Sequence, residues 1–158
     1  MKNLTTYIIE KLKITKDNSY SYKYFPETNK KLKNIIDKLV DEQSMEDIIN
    51  LNSIDTSEII DMSNLFNGME GLLKIDISDW DVSKVKNMNS MFNGCINLEK
   101  IVGIEDWNVS KVENMQDMFR SCEAFNQDLS KWDVFNVWNT SCMFFYCPIE
   151  EKNKPKFK

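Results

Sequence analysis

A long motif occurs three times in this chain, and it restricts the fold more than any other feature. Trp80-Asp81-Val82-Ser83-Lys84-Val85-Lys86-Asn87-Met88-Asn89-Ser90-Met91-Phe92-Asn93-Gly94-Cys95 recurs from Trp107 to Cys122 and again from Trp132 to Cys147, at offsets of 27 and 25 residues. A period in this range belongs to arrays whose unit cannot bury its apolar face alone and does so against its neighbours. A degenerate copy precedes the others. Ile54, Ile59, Met62, Leu65 and Phe66 fall at its Trp, Val, Met, Met and Phe positions, and Met69 stands where later copies have Cys. Apolar character survives there while identity drifts, as expected of a terminal repeat next to a cap.

Two apolar periods alternate within each copy. Met88, Met91, Phe92 and Cys95 lie at i, i+3, i+4 and i+7. This spacing predicts a two-turn helix, with Asn87, Asn114 and Asn139 as N-caps. Leu73, Ile75 and Ile77 lead to Trp80, and Leu98, Ile101 and Ile104 lead to Trp107. These patches predict one short strand per repeat, paired in parallel. The expected class is therefore α/β, a right-handed solenoid with one short strand and one short helix per repeat. The nine Met and nine Phe read as its core, two Met and one Phe per copy.

The first 50 residues read as a helical N-terminal cap. Leu4, Ile8 and Leu12 predict a first helix, and Tyr20, Tyr22, Tyr24 and Phe25 a short extended stretch. Leu32, Ile35, Ile36, Leu39 and Val40 predict a second helix over 28–40. Ser44-Met45-Glu46-Asp47 resembles a capping box for a short helix reaching Asn50. The expected organisation is a cap over 1–50, about four repeats over 51–148, and a basic, mobile tail over 149–158.

Charge separates these parts. Residues 1–43 are net +3, residues 44–147 net −10, and the remainder net +2. An acidic array repels phosphate backbones, so nucleic acid is not an expected partner. A protein with a basic surface is, and so is self-assembly through the basic tail. No apolar run is long enough for a membrane span. No signal peptide is visible at Met1, which favours a cytoplasmic or virion-associated protein over a secreted one.

The chain has no histidine, which removes Ser-His and Cys-His nucleophile pairs and the commonest metal ligand. Cys95, Cys122 and Cys147 share one repeat position and are expected to be buried free thiols without metal, with Cys142 beside them. Asp81, Asn108 and Asp133 sit on the turn after Trp and are expected to bind backbone amides there. A calcium site of stacked turn oxygens is the alternative. Trp80, Trp107 and Trp132 read as a packed column rather than a stacking platform for sugars or bases. No catalytic residue, cofactor site or metal site is predicted.

Departures from the pattern point elsewhere. Phe135 replaces Ser83 and Ser110, Trp138 replaces Lys86 and Glu113, and Phe145-Tyr146 replace Asn93-Gly94 and Arg120-Ser121. Aromatics at positions that tolerate charge are candidate partner-binding residues. The competing expectation is that the C-terminal tail covers them.

The pattern Trp-Asp-Val-Ser-x-Val-x-Asn-Met-x-x-Met-Phe-x-x-Cys, with Phe125-Asn126-Gln127-Asp128-Leu129-Ser130-Lys131-Trp132, resembles the BspA-like leucine-rich repeats over residues 50–148. The resemblance implies a leucine-rich-repeat solenoid that binds other macromolecules without catalysis. The expected function is thus a non-enzymatic protein-interaction module. A structural component of a virion or cell-surface layer is the alternative.

Overall fold

The computed structural model describes residues 22–43 and 48–157. The predicted first helix at 4–12 and the capping box at 44–47 lie outside these residues. Tyr24 does lie in an extended segment, bridged in parallel to Ile54.

Helix α1 spans Asn29–Asp41. The Thr28 side chain accepts from the Lys31 amide at its start, which satisfies one of the helix's unpaired N–H groups. Leu32, Ile36 and Val40 are buried at one-turn intervals, giving α1 a single apolar stripe that joins the core. Strands β1 (Ile48–Asn50), β2 (Lys74–Asp76) and β3 (Lys100–Val102) form a parallel sheet in that order. Ile49, Ile75 and Ile101 stand in register on its buried face. Residues 48–50, expected at the end of a helix, are thus a strand.

The predicted leucine-rich-repeat solenoid, with a short helix in each repeat, is corrected by this structure. Among the described residues there are one α-helix, a three-stranded parallel sheet and two 3-10 turns, Ile104–Asp106 and Glu151–Asn153. Residues 87–95 and 114–122 are reverse turns. The reason lies in the backbone. Asn64, Ser90, Asp117 and Cys142 have φ between 53° and 59°, and Gly68, Gly94, Ser121 and Tyr146 have φ between 55° and 75°. A left-handed residue at every fourth position cannot continue a right-handed helix. Instead, Met91 N–H donates to Met88 O and Cys95 N–H to Phe92 O, closing two successive turns with the left-handed residue third in each. Tandem turns place residues 88, 91, 92 and 95 at inward corners, the same spacing a helix face would show.

The amides that a helix would use internally cross to the next copy instead. Met62, Asn64, Phe66 and Gly68 donate to Asn87, Asn89, Met91 and Asn93 carbonyls. Met88, Ser90, Phe92 and Gly94 donate to Asn114, Gln116, Met118 and Arg120, and Met115, Asp117, Phe119 and Ser121 to Asn139, Ser141, Met143 and Phe145. All these bonds measure 2.7–3.0 Å. Parallel bridges Asp61–Asn87–Asn114–Asn139 mark the register. Each Asx side chain in that column accepts from the amide two residues on, a turn contact rather than the predicted helix cap.

Stacking the turns brings like side chains together. Phe66, Phe92, Phe119 and Phe144 form a column with ring centroids 5.2, 5.5 and 5.8 Å apart and near-parallel planes. The first three are fully buried. Offset ring stacking adds to their area burial.

Each end of this stack is finished differently. On the first turn layer, Asn29 Nδ2 donates to the Asp61 and Ser63 carbonyls, the place that an earlier layer's amides would fill. Gln43 closes the β1 edge by pairing its amide with Asn50 N–H and C=O. Gln127 does the same for Ile101 on β3. An exposed strand edge invites foreign pairing, and these glutamines block it.

Candidate functional site

The tail expected to be mobile packs against its own chain. Asn153 O accepts from Leu129 N–H, Asn126 Oδ1 accepts from Glu150 N–H, and Ile149 and Pro155 are buried. It therefore lies over residues 126–129 and leaves the last turn layer open. Trp138 is 72% exposed and Phe135 65%, with Tyr146 at 69% and Phe145 at 45%. Burying groups this large elsewhere in the chain is the rule. The four fall on one short segment, the last copy of the motif.

The layers beneath explain the exposure of Trp138. Its counterparts Lys86 and Glu113 form an exposed ion pair of 3.0 Å, so the position faces outward in every copy. Its amide donates to Glu113 O, which seats it in the ladder. Phe145 and Tyr146 touch ring to ring at 4.1 Å, and the Arg120 guanidinium lies 5.4 Å from the Phe145 ring centre. A shallow depression of about 350 Å³ adjoins Tyr146, lined also by Glu123, Cys147 and Pro148. Tyr146 keeps the left-handed conformation that Gly68 and Gly94 adopt in earlier layers. No charged residue occurs from Val134 to Ile149. Depletion of charge with enrichment in aromatics is the composition of an interface centre.

The other candidates have structural roles. Asp81, Asn108 and Asp133 accept from the amides of Ser83, Ser110 and Phe135. Trp80, Trp107 and Trp132 are buried. Trp80 Nε1 donates to Leu51 O and Trp132 Nε1 to Ile104 O. Trp107 Nε1 is buried without a partner, in the copy whose offset from its predecessor is longest. Cys95 and Cys122 donate Sγ–H to Phe66 O and Phe92 O. Burial pushes the Cys95 thiol up to about 12 and raises Cys122 and Cys147 as well. All four cysteines are free; Cys95 and Cys122 are buried as expected, whereas Cys147 is half-buried and Cys142 exposed. Among the described residues, no three His, Cys, Asp or Glu side chains converge to hold a metal ion, and no helix is long and apolar enough to cross a membrane.

A second hollow, of about 320 Å³, lies beside β3 between Lys100, Glu105, Gln127, Asp128 and Lys131. Hydrogen bonds from Ser130 hold the exposed Asp128 carboxyl below its usual range, so it stays ionised and turn-bound.

One feature of the last layer is invisible to residue-type reasoning: its backbone amides. The signal was nevertheless in the sequence, because residues 148–157 do not repeat the motif of the copy at 132–147.

A family model described as "Mycoplasma protein of unknown function, DUF285" matches residues 30–157. The match runs from the first turn of α1 through the tail, so cap, turn layers and tail form one family unit. No curated protein and no solved structure matches the chain.

Proposed function

We propose that this chain, which belongs to the DUF285 family, is a non-enzymatic protein-interaction module that binds through its last turn layer. The observation carrying this is the exposure of Phe135, Trp138, Phe145 and Tyr146 together with the tail already docked elsewhere. Exposed aromatics cost solubility and are kept for contact. The likeness of residues 50–148 to BspA-like repeats, a family that binds macromolecules, supports the same reading. So does the acidic charge of residues 44–147, which suits a partner with a basic rim around an apolar centre.

The test is Trp138→Ala, compared with the parent chain in thermal melting and in affinity for a partner identified by cross-linking. Affinity should fall by about 2 kcal/mol or more, as for a central hot-spot Trp, with the melt almost unchanged. Equal affinity would overturn the reading. Light scattering separates the alternative: growth into large particles would favour a structural component of an assembly.

A further inference from the structure

We propose that the free edge of the last turn layer receives a segment of another protein that takes up the same tandem-turn path and adds as the next layer in parallel to residues 138–146. This rests on the interaction reading above and names the kind of partner and how it is held.

The ladder itself defines the vacancy. Three successive layers each send four amides to the layer that follows. In the last layer the equivalent donors are Thr140, Cys142, Phe144 and Tyr146, and none of their N–H groups has a partner among the described residues. The carbonyl column is open at the same end. Ile60 O accepts from Lys86 N–H, Lys86 O from Glu113 N–H and Glu113 O from Trp138 N–H, which leaves Trp138 O as the outermost acceptor. The Phe column likewise ends at Phe144, which stacks on Phe119 and is only partly buried.

Among the described residues, the other edges carry caps. Asn29 caps the first layer, Gln43 and Gln127 cap the sheet edges, and the tail bonds to residues 126–129. The open edge carries no charge or proline from residue 134 to 147, the devices that keep edges from pairing.

The occupant follows from the donor pattern. It must offer one N–H to Trp138 O, four carbonyls at alternate residues, and a large apolar side chain over Phe144. Backbone pairing of this kind supplies affinity, and the side-chain seat supplies selectivity. A second copy of this chain does not fit. Two such edges face to face oppose donors to donors, and the other end of the stack is covered by α1 and Asn29. The donor pattern thus favours a different protein, one with an unpaired segment able to take up the tandem-turn path.

The probe is a peptide of residues 113–123 carrying Cys122→Ser, since this segment already seats on the layer below through Asn114, Gln116, Met118 and Arg120 carbonyls. Amide hydrogen exchange is followed on the full chain, with a scrambled peptide as control. In the chain alone, Thr140, Cys142, Phe144 and Tyr146 should exchange far faster than Met115, Asp117, Phe119 and Ser121. Saturating peptide should slow the four by about tenfold or more. The proposal is overturned if the four are already slow in dilute monomer, if their protection instead rises with protein concentration, or if millimolar peptide leaves them unchanged. It is also overturned if a captured partner loses affinity on Trp138→Ala while these amides stay fast, in which case the interaction reading stands without this edge.

Discussion

Phe119 and Trp138 are both large aromatics in adjacent copies, and their environments assign them opposite roles. Phe119 is fully buried and stacks on Phe92, Phe125 and Phe144. Phe119→Ala empties that site and should cost about 3–5 kcal/mol in urea unfolding. Trp138 packs little of its surface, so Trp138→Ala should stay within about 0.5 kcal/mol of the parent chain in the same assay. The cysteines divide in the same way. A thiolate is the reactive form, and burial raises the thiols of Cys95 and Cys122 far above neutrality. Brief iodoacetamide treatment of the native chain at pH 7.5 should label Cys142 and leave Cys95 and Cys122 unmodified by peptide mass mapping. Labelling of the two buried residues at the rate of Cys142 would contradict their placement.

At the scale of elements, the turn layers depend on left-handed residues where side chains are least welcome. Gly94 has φ +74°, and a Cβ there would meet Gly68 Cα at an ordinary 3.6 Å. Gly94→Ala should therefore cost only the conformational strain, about 1–2 kcal/mol. Gly103 has φ +90°, and its Cβ would collide with the Ser78 backbone, so Gly103→Ala should destabilise more than Gly94→Ala. Reversal of that order in urea unfolding would show that β3 enters its turn differently. The same turns explain why a helix was expected and does not form. Inward corners of two linked reverse turns recur at three- and four-residue spacing, and so does one face of a helix. Residues 88, 91, 92 and 95 satisfy both patterns. The distinguishing residues are the left-handed pairs four apart, Asn64/Gly68, Ser90/Gly94 and Asp117/Ser121, in which Asn, Asp and Gly are types that favour positive φ.

At the scale of the molecule, stability should narrow at both ends of the pH range. Burial acts to raise the Asp76 carboxyl, but hydrogen bonds from Asn52 and Ser78 outweigh it and hold the group below its ordinary value. A depressed carboxylate stabilises the fold above its unfolded pKa of about 4 and loses that contribution as pH falls through the folded value. The buried thiols act in the opposite sense. They favour the fold below the unfolded thiol pKa of about 8.5 and progressively less above it, because only the unfolded chain ionises there. Melting temperature should thus decline below about pH 4 and above about pH 8.5, and the alkaline decline should shrink in Cys122→Ala once its lower baseline is subtracted. A flat alkaline limb in the parent chain would contradict the burial of Cys95 and Cys122. Parts of this architecture were readable from residue order alone. The motif period marked the copies, the alternating patches before Trp80 and Trp107 marked β2 and β3, and the apolar stripe of 28–40 marked α1, because burial depends on which residues are apolar and how they are spaced. Spacing does not say whether an amide bonds within its own segment or to its neighbour. The tertiary structure decided that: once Ser90, Phe92 and Gly94 amides pointed at the next copy, the helix was lost and the last copy was left with four amides and a ring face to offer.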